Sequence, residues 1–140
     1  MTRWLPAVVV AVLVLLLAGL PALTGDLTSL VVAVSGLVIA WWISPLNGRR
    51  GPRHRDVLAA EDGEHAVIIY WRPGCIHCLR LRGALGSAAT KATWVSIWAD
   101  PEAAAYVRPV NDGNETVPTV VIDGHPHTSP DPQLVRDALG

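Results

Sequence analysis

The first 46 residues carry only two charges, Arg3 and Asp26, and no other feature of the chain restricts its folding as much. A segment this apolar has to be covered, by protein or by lipid. Residues 5–23 form an almost unbroken run of Val, Leu and Ala, with Pro6 and Pro21 near its ends, where helix breakers cost least. A helix rises about 1.5 Å per residue, so about 20 apolar residues cross a hydrocarbon core of about 30 Å. The run therefore predicts a membrane span. Thr24-Gly25-Asp26 reads as a turn, and residues 27–46 as a second span. Inside it, Ala33, Ser35 and Gly36 are small enough for two membrane helices to approach closely. Trp4, Trp41 and Trp42 fall where interfacial aromatics belong. The expectation is a transmembrane helical hairpin over residues 1–46. A buried helix pair and, for the first run, a cleaved signal peptide are the other readings; the length of the runs and their direct succession favour spans.

Charge then sets the expected orientation. Arg49, Arg50, Arg53 and Arg55 follow the second run, Arg3 precedes the first, and the connecting turn holds Asp26 without a base. The positive-inside rule predicts a plasma-membrane protein with its soluble domain facing the cytoplasm. Residues 47–62, with Gly48, Gly51, Pro52 and His54 among the arginines, read as a basic linker, and residues 63–140 as one small domain. A net charge of −1 gives no reason to expect a nucleic-acid partner. Lys91 is the only lysine, while Arg, Ala, Val and Pro abound, the bias of a GC-rich genome.

In the domain, residues 65–71 (HAVIIYW) form a short apolar run rich in β-branched and aromatic side chains, a buried strand. Pro73-Gly74 ends it and Cys75 opens a helix, weakened at Gly83 and Gly86. Residues 93–98 read as a second strand. Asp100-Pro101-Glu102 is an N-cap followed by proline at the first helical position and an acid in the first turn, and this helix runs to about Val110. After an Asp112-Gly113-Asn114 turn, residues 117–122 form a third strand. Asp123-Gly124 makes a hairpin turn into residues 125–128, and Asp131-Pro132 caps a last helix. The order is β-α-β-α-β-β-α.

The only two cysteines, Cys75 and Cys78, are spaced Cys-x-x-Cys. One such pair is too few for a disulfide framework and makes a site instead. A thiolate, not a thiol, attacks a disulfide. A cysteine at a helix N-terminus meets unpaired N–H groups and the positive end of the dipole, which favour the anion. Cys75 is the expected nucleophile, and Cys78, one turn on, lies near enough to close a disulfide. His77, if protonated, adds positive charge, favours the thiolate and raises the reduction potential; Arg72 is a second nearby cation. The pair would also serve as half a zinc site, but there is no second Cys-x-x-Cys, and His54, His65, His125 and His127 lack matching spacing. Val117-Pro118 opens a central strand with a residue that cannot donate to the ladder. A cis bond and a bend would make it tolerable there, leaving the Val117 backbone free to pair with an extended thiol substrate.

On Tyr70-Trp71-Arg72-Pro73-Gly74-Cys75-Ile76-His77-Cys78 and Gly113-Asn114-Glu115-Thr116-Val117-Pro118-Thr119-Val120, the chain resembles the glutaredoxin family, most closely the mycoredoxins of actinobacteria. The resemblance covers about residues 65–139. It implies a thioredoxin-like α/β fold with a mixed four-stranded sheet, here preceded by the transmembrane hairpin. It further implies a nucleophilic Cys75, a resolving Cys78 and a cis bond before Pro118, with no bound cofactor. A low-molecular-weight thiol, mycothiol or glutathione, is the implied co-substrate, contacted by Arg72, Thr116, Val117 and Pro118. Disulfide-containing proteins are the implied partners. The chain departs from the family in having Ile76-His77 rather than Pro-Tyr between the cysteines. It also has Thr128-Ser129-Pro130-Asp131 in place of the Gly-Gly-x-Asp that holds the γ-glutamyl end of glutathione. The second departure leaves Asp131 as the matching thiol-binding acid and favours mycothiol. The expected activity is reduction of mixed disulfides by a membrane-anchored enzyme. An exported thiol oxidase or isomerase of the same fold, and a metal or iron–sulfur module built on the two cysteines, are the alternatives.

Overall fold

Residues 5–19, 27–42, 44, 51–60 and 66–140 are described by the computed structural model, and the chain divides into two compact units, Met1–Asn47 and Gly48–Gly140. The readings made above on residues 1–4, 20–26, 43, 45–50 and 61–65 lie outside the described residues.

In the first unit, α1 spans Leu5–Gly19 and α2 spans Leu27–Trp42. They are 15 and 16 residues long, so at about 1.5 Å per residue each reaches less than 25 Å, short of a hydrocarbon core of about 30 Å. No helix among the described residues is long and apolar enough to cross a membrane. This overturns the expected transmembrane hairpin, with the membrane partner and the two-span plasma-membrane location read from it. The apolar runs extend beyond the described helices. Described helix stops at Gly19, two residues before Pro21, and at Trp42, where Ser44 donates from its backbone N–H and its hydroxyl to the Trp41 carbonyl at 3.1 and 2.8 Å. Close approach of the two helices is real: a Cβ at Gly36 would overlap the Val14 side chain.

The second unit is built on a four-stranded mixed sheet. Its strands are β1 (Val67–Trp71), β2 (Thr93–Ser96), β3 (Thr119–Ile122) and β4 (His125–Thr128), in the spatial order β2-β1-β3-β4. β2 runs parallel to β1, while β3 is antiparallel to both β1 and β4. The parallel pair needs a crossover, which α4 (Ile76–Leu85) and a 3-10 turn (Gly86–Thr90) supply. Gly86, at φ +57, ends α4 by turning its N–H onto the Arg82 and Gly83 carbonyls. α5 (Pro101–Val110) starts at the Asp100 cap and Pro101 as its sequence predicts. Asp123 and Gly124, both at positive φ, form the β3–β4 hairpin. α6 (Pro132–Leu139) closes the chain. This arrangement fits a thioredoxin-like fold, with β1, β2 and β3 slightly shorter than the runs read from sequence and β4 spanning the residues read.

Alternation along β1 divides the core. Val67 and Ile69 face Leu81 and Leu85 of α4 and Val135 of α6; Ile68 and Tyr70 face Ala103, Ala104 and Val107 of α5. Because both faces are covered, β1 reads as a continuous apolar run rather than an alternating one. The second cluster also includes Val57, on a short helix α3 (His54–Ala59) within the stretch read as linker. His54 is buried there. Its backbone N–H donates to Asp100 Oδ2 at 2.7 Å, its Nδ1 pairs with the Tyr70 hydroxyl at 2.7 Å, and its ring lies 4.9 Å from that of Tyr106.

Candidate active site

Two chain reversals bring the candidate residues together. At the end of β1, Pro73 and Gly74 (φ +74) turn the chain, and the Cys75 N–H closes the turn on the Arg72 carbonyl at 3.3 Å. Cys75 is then the N-cap of α4, with its carbonyl accepting from Leu79 N–H at 3.1 Å and its Sγ accepting from Cys78 N–H at 3.3 Å. A side chain that accepts from the first turn is what a helix N-terminus requires, and here a sulfur fills that role. Negative charge on that sulfur would keep the same hydrogen bond.

The second reversal precedes β3. The Val117–Pro118 peptide bond is cis, and β3 begins only at Thr119, after the residue that lacks an N–H. The Val117 carbonyl accepts from the Cys75 thiol at 3.4 Å across the sheet end. Ser129 N–H donates to the Pro118 carbonyl at 2.8 Å, so the 128–131 segment meets the same loop.

Both thiols are free, Cys75 at 8% and Cys78 at 3% exposure. Burial pushes the Cys78 thiol far above its ordinary range, helped by its hydrogen bond with Cys75 and by that neighbour's charge. A backbone hydrogen bond from Arg72 and the charge of its guanidinium pull the other way without prevailing. Arg72 itself lies over the Trp98 ring, 5.8 Å from its centroid.

Of the eight residues singled out from sequence, Arg72, Cys75, Cys78, Val117 and Pro118 meet at this corner. Thr116, half-buried, adjoins it, and its carbonyl accepts from the Thr119 hydroxyl at 2.9 Å. His77 is exposed on the first turn of α4. Asp131 is exposed and caps α6, with Oδ1 accepting from Gln133 N–H at 2.7 Å. Sequence reading missed Trp98, whose ring lies under the Arg72 guanidinium, and Asn111, which is buried where α5 ends and bonds to Thr119 and Thr128. An asparagine at a helix end signals a cap, and nothing local tells that its side chain reaches two strands. Among the described residues, no three His, Cys, Asp or Glu side chains group so as to hold a metal ion.

The family model for glutaredoxin matches residues 67–127. Two proteins of Mycobacterium tuberculosis, one from strain CDC 1551 and one from strain H37Rv, both provisionally named glutaredoxins, are each 40% identical over 75 residues. That alignment covers 53% of this chain and 89% of each relative. No solved structure matches the chain significantly.

Proposed function

Because the chain belongs to the glutaredoxin family, a family of thiol–disulfide oxidoreductases, we propose that it reduces mixed disulfides between proteins and a low-molecular-weight thiol, with Cys75 as the nucleophile. The observation that carries this reading is the asymmetry of the pair. Cys75 caps α4 and accepts a hydrogen bond from Cys78 N–H, whereas burial holds Cys78 as a thiol. The Cys75 thiolate attacks the small-thiol sulfur of the mixed disulfide. A bond forms between Cys75 and that sulfur, the original S–S bond breaks, and the protein leaves as a thiolate that takes a proton from water. A second small thiol then attacks the adduct as its thiolate. It releases the small-molecule disulfide, supplies two electrons in all with the first thiol, and regenerates the Cys75 thiolate. Cys78 offers the intramolecular alternative, closing a Cys75–Cys78 disulfide and expelling the small thiol.

Arg72, Thr116, Val117 and Pro118 are the proposed contacts of the small thiol, with the Val117 backbone beside the sulfur. His77 borders the pair, and Asp131 would offer a carboxylate from the cap of α6. Mycothiol is the favoured thiol, since Thr128-Ser129-Pro130-Asp131 departs from the pattern that holds a γ-glutamyl group. The test is mass spectrometry of Cys78→Ser protein offered mycothiol and glutathione mixed disulfides in competition. A Cys75 adduct bearing predominantly mycothiol is expected, and predominant glutathione would reverse the thiol assignment. Cys75→Ser should form no adduct and show no turnover; residual turnover through Cys78 would refute the assignment of the nucleophile.

A further inference from the structure

We propose that Asn111 is a positioning residue for thiol–disulfide exchange, holding the 116–118 loop so that the Val117 carbonyl stays at the Cys75 sulfur; this rests on the oxidoreductase reading given above. Asn111 is 7% exposed and lies at the C-cap of α5. Its Nδ2 donates to the Val107 carbonyl at 2.8 Å and to Thr119 Oγ1 at 3.1 Å. Its Oδ1 accepts from the Thr128 hydroxyl at 2.6 Å. The amide has one workable orientation, because flipping it would set its oxygen against the Val107 carbonyl, acceptor against acceptor.

The direction of the chain of bonds follows. A hydroxyl has one hydrogen to give. Thr119 receives a hydrogen bond from Asn111, so its own hydrogen goes to the Thr116 carbonyl, 2.9 Å away. The sequence Thr128 to Asn111 to Thr119 to Thr116 is thus a relay of donors running one way, in which each bond polarises the next. Thr119 is fully buried, and its Cα pairs with Tyr70 of β1 on one side and Thr128 of β4 on the other. The relay therefore ties the loop to the same strand, β1, that leads into Arg72 and Cys75. Thr116 is the neighbour of Val117, whose carbonyl accepts from Cys75 Sγ at 3.4 Å. No bond of the relay touches either sulfur, so its loss should weaken alignment of the substrate and spare the intrinsic reactivity of Cys75.

The test compares Asn111→Ala, Thr119→Val and Thr119→Ser in the full chain, with a mixed disulfide of a cysteine peptide and mycothiol as the probe. Asn111→Ala and Thr119→Val should raise KM by about tenfold with kcat within about twofold, and leave the rate of Cys75 alkylation by iodoacetamide within about twofold. Thr119→Ser, which keeps the hydroxyl, should return KM to within about twofold of the original chain. KM unmoved in Asn111→Ala and Thr119→Val overturns the proposal. So does a Thr119→Ser protein as impaired as Thr119→Val, or alkylation that slows in step with the rise in KM. Should Asn111→Ala fail to fold, the two Thr119 variants decide alone. If the unmutated chain turns over no mixed disulfide, the oxidoreductase reading fails separately. The positioning role is then read from hydrogen exchange of the Thr116, Val117 and Thr119 amides: faster exchange in Thr119→Val supports it, and unchanged exchange overturns it.

Discussion

Cys78 is a buried thiol whose ionisation is opposed first by desolvation and only then by Cys75. When Cys75 is capped by a small thiol, the neighbour's charge is gone and the desolvation remains. Deprotonation should therefore limit the intramolecular route at neutral pH. In quenched-flow measurements on the Cys75 adduct, closure of the Cys75–Cys78 disulfide should accelerate about tenfold per pH unit between about pH 7 and 9. A rate already level at pH 7 would contradict a buried, protonated Cys78. His77 is exposed, and solvent screens an exposed charge. Its influence on the pair should be smaller than its position in the motif implies: His77→Ala should move the midpoint potential by less than about 30 mV, equivalent to tenfold in the exchange equilibrium. Redox titration against a thiol buffer measures this, and a shift of about 60 mV would show that the imidazole acts directly on the pair.

The elements that carry the site are locally specified. Pro73-Gly74-Cys75 stops β1 and starts α4 within a few residues, and Asp100-Pro101 starts α5 by the same kind of local chemistry. Asp100 has a second task that no local signal announces. One carboxylate oxygen accepts from Glu102 N–H at 3.0 Å and the other from His54 N–H at 2.7 Å, fixing α3 to the start of α5. Asp100→Ala removes a cap and leaves a buried N–H unsatisfied, so it should cost roughly 3 kcal/mol in urea unfolding. Asp100→Asn retains one oxygen acceptor and should cost about half as much. Equal stability of all three proteins would mean that α3 is not held by this contact. The expected linker gave no hint of it because a six-residue helix has too little periodicity to read.

Across the whole molecule, Cys78 couples stability to pH. Its folded pKa lies above that of an unfolded thiol, about 8.5, so its favourable contribution is complete below that pH. It is lost as pH rises further, because the unfolded state ionises first. The reduced protein should lose up to about 1.4 kcal/mol per pH unit from this group above about pH 8.5. Urea midpoints at pH 7.5, 9 and 10 check it, with Cys78→Ala flattening the decline. An unchanged pH profile in that variant would assign the decline to other groups, of which Tyr70, raised by its own burial, is one.

Local chemistry determined much of this protein from sequence alone. The strand–turn–Cys–helix junction, the Asp100-Pro101 cap, the Asp123-Gly124 hairpin and the order of the elements all rest on contacts within a few residues, so they were legible. So was the meeting of Cys75, Cys78 and Val117 at one corner, because a Cys-x-x-Cys after a strand and a Val-Pro before one are placed by their local turns. Helix length in the first 46 residues was not, since hydropathy records what a segment avoids and not how far it stays helical. Tertiary structure alone decided that His54 is buried, through partners 16 and 46 residues away. It decided too that the Asn111 amide spans α5, β3 and β4. Buried polar groups choose partners by geometry after the chain has closed, and the cost of leaving them unpaired, not any pattern along the sequence, fixes those choices.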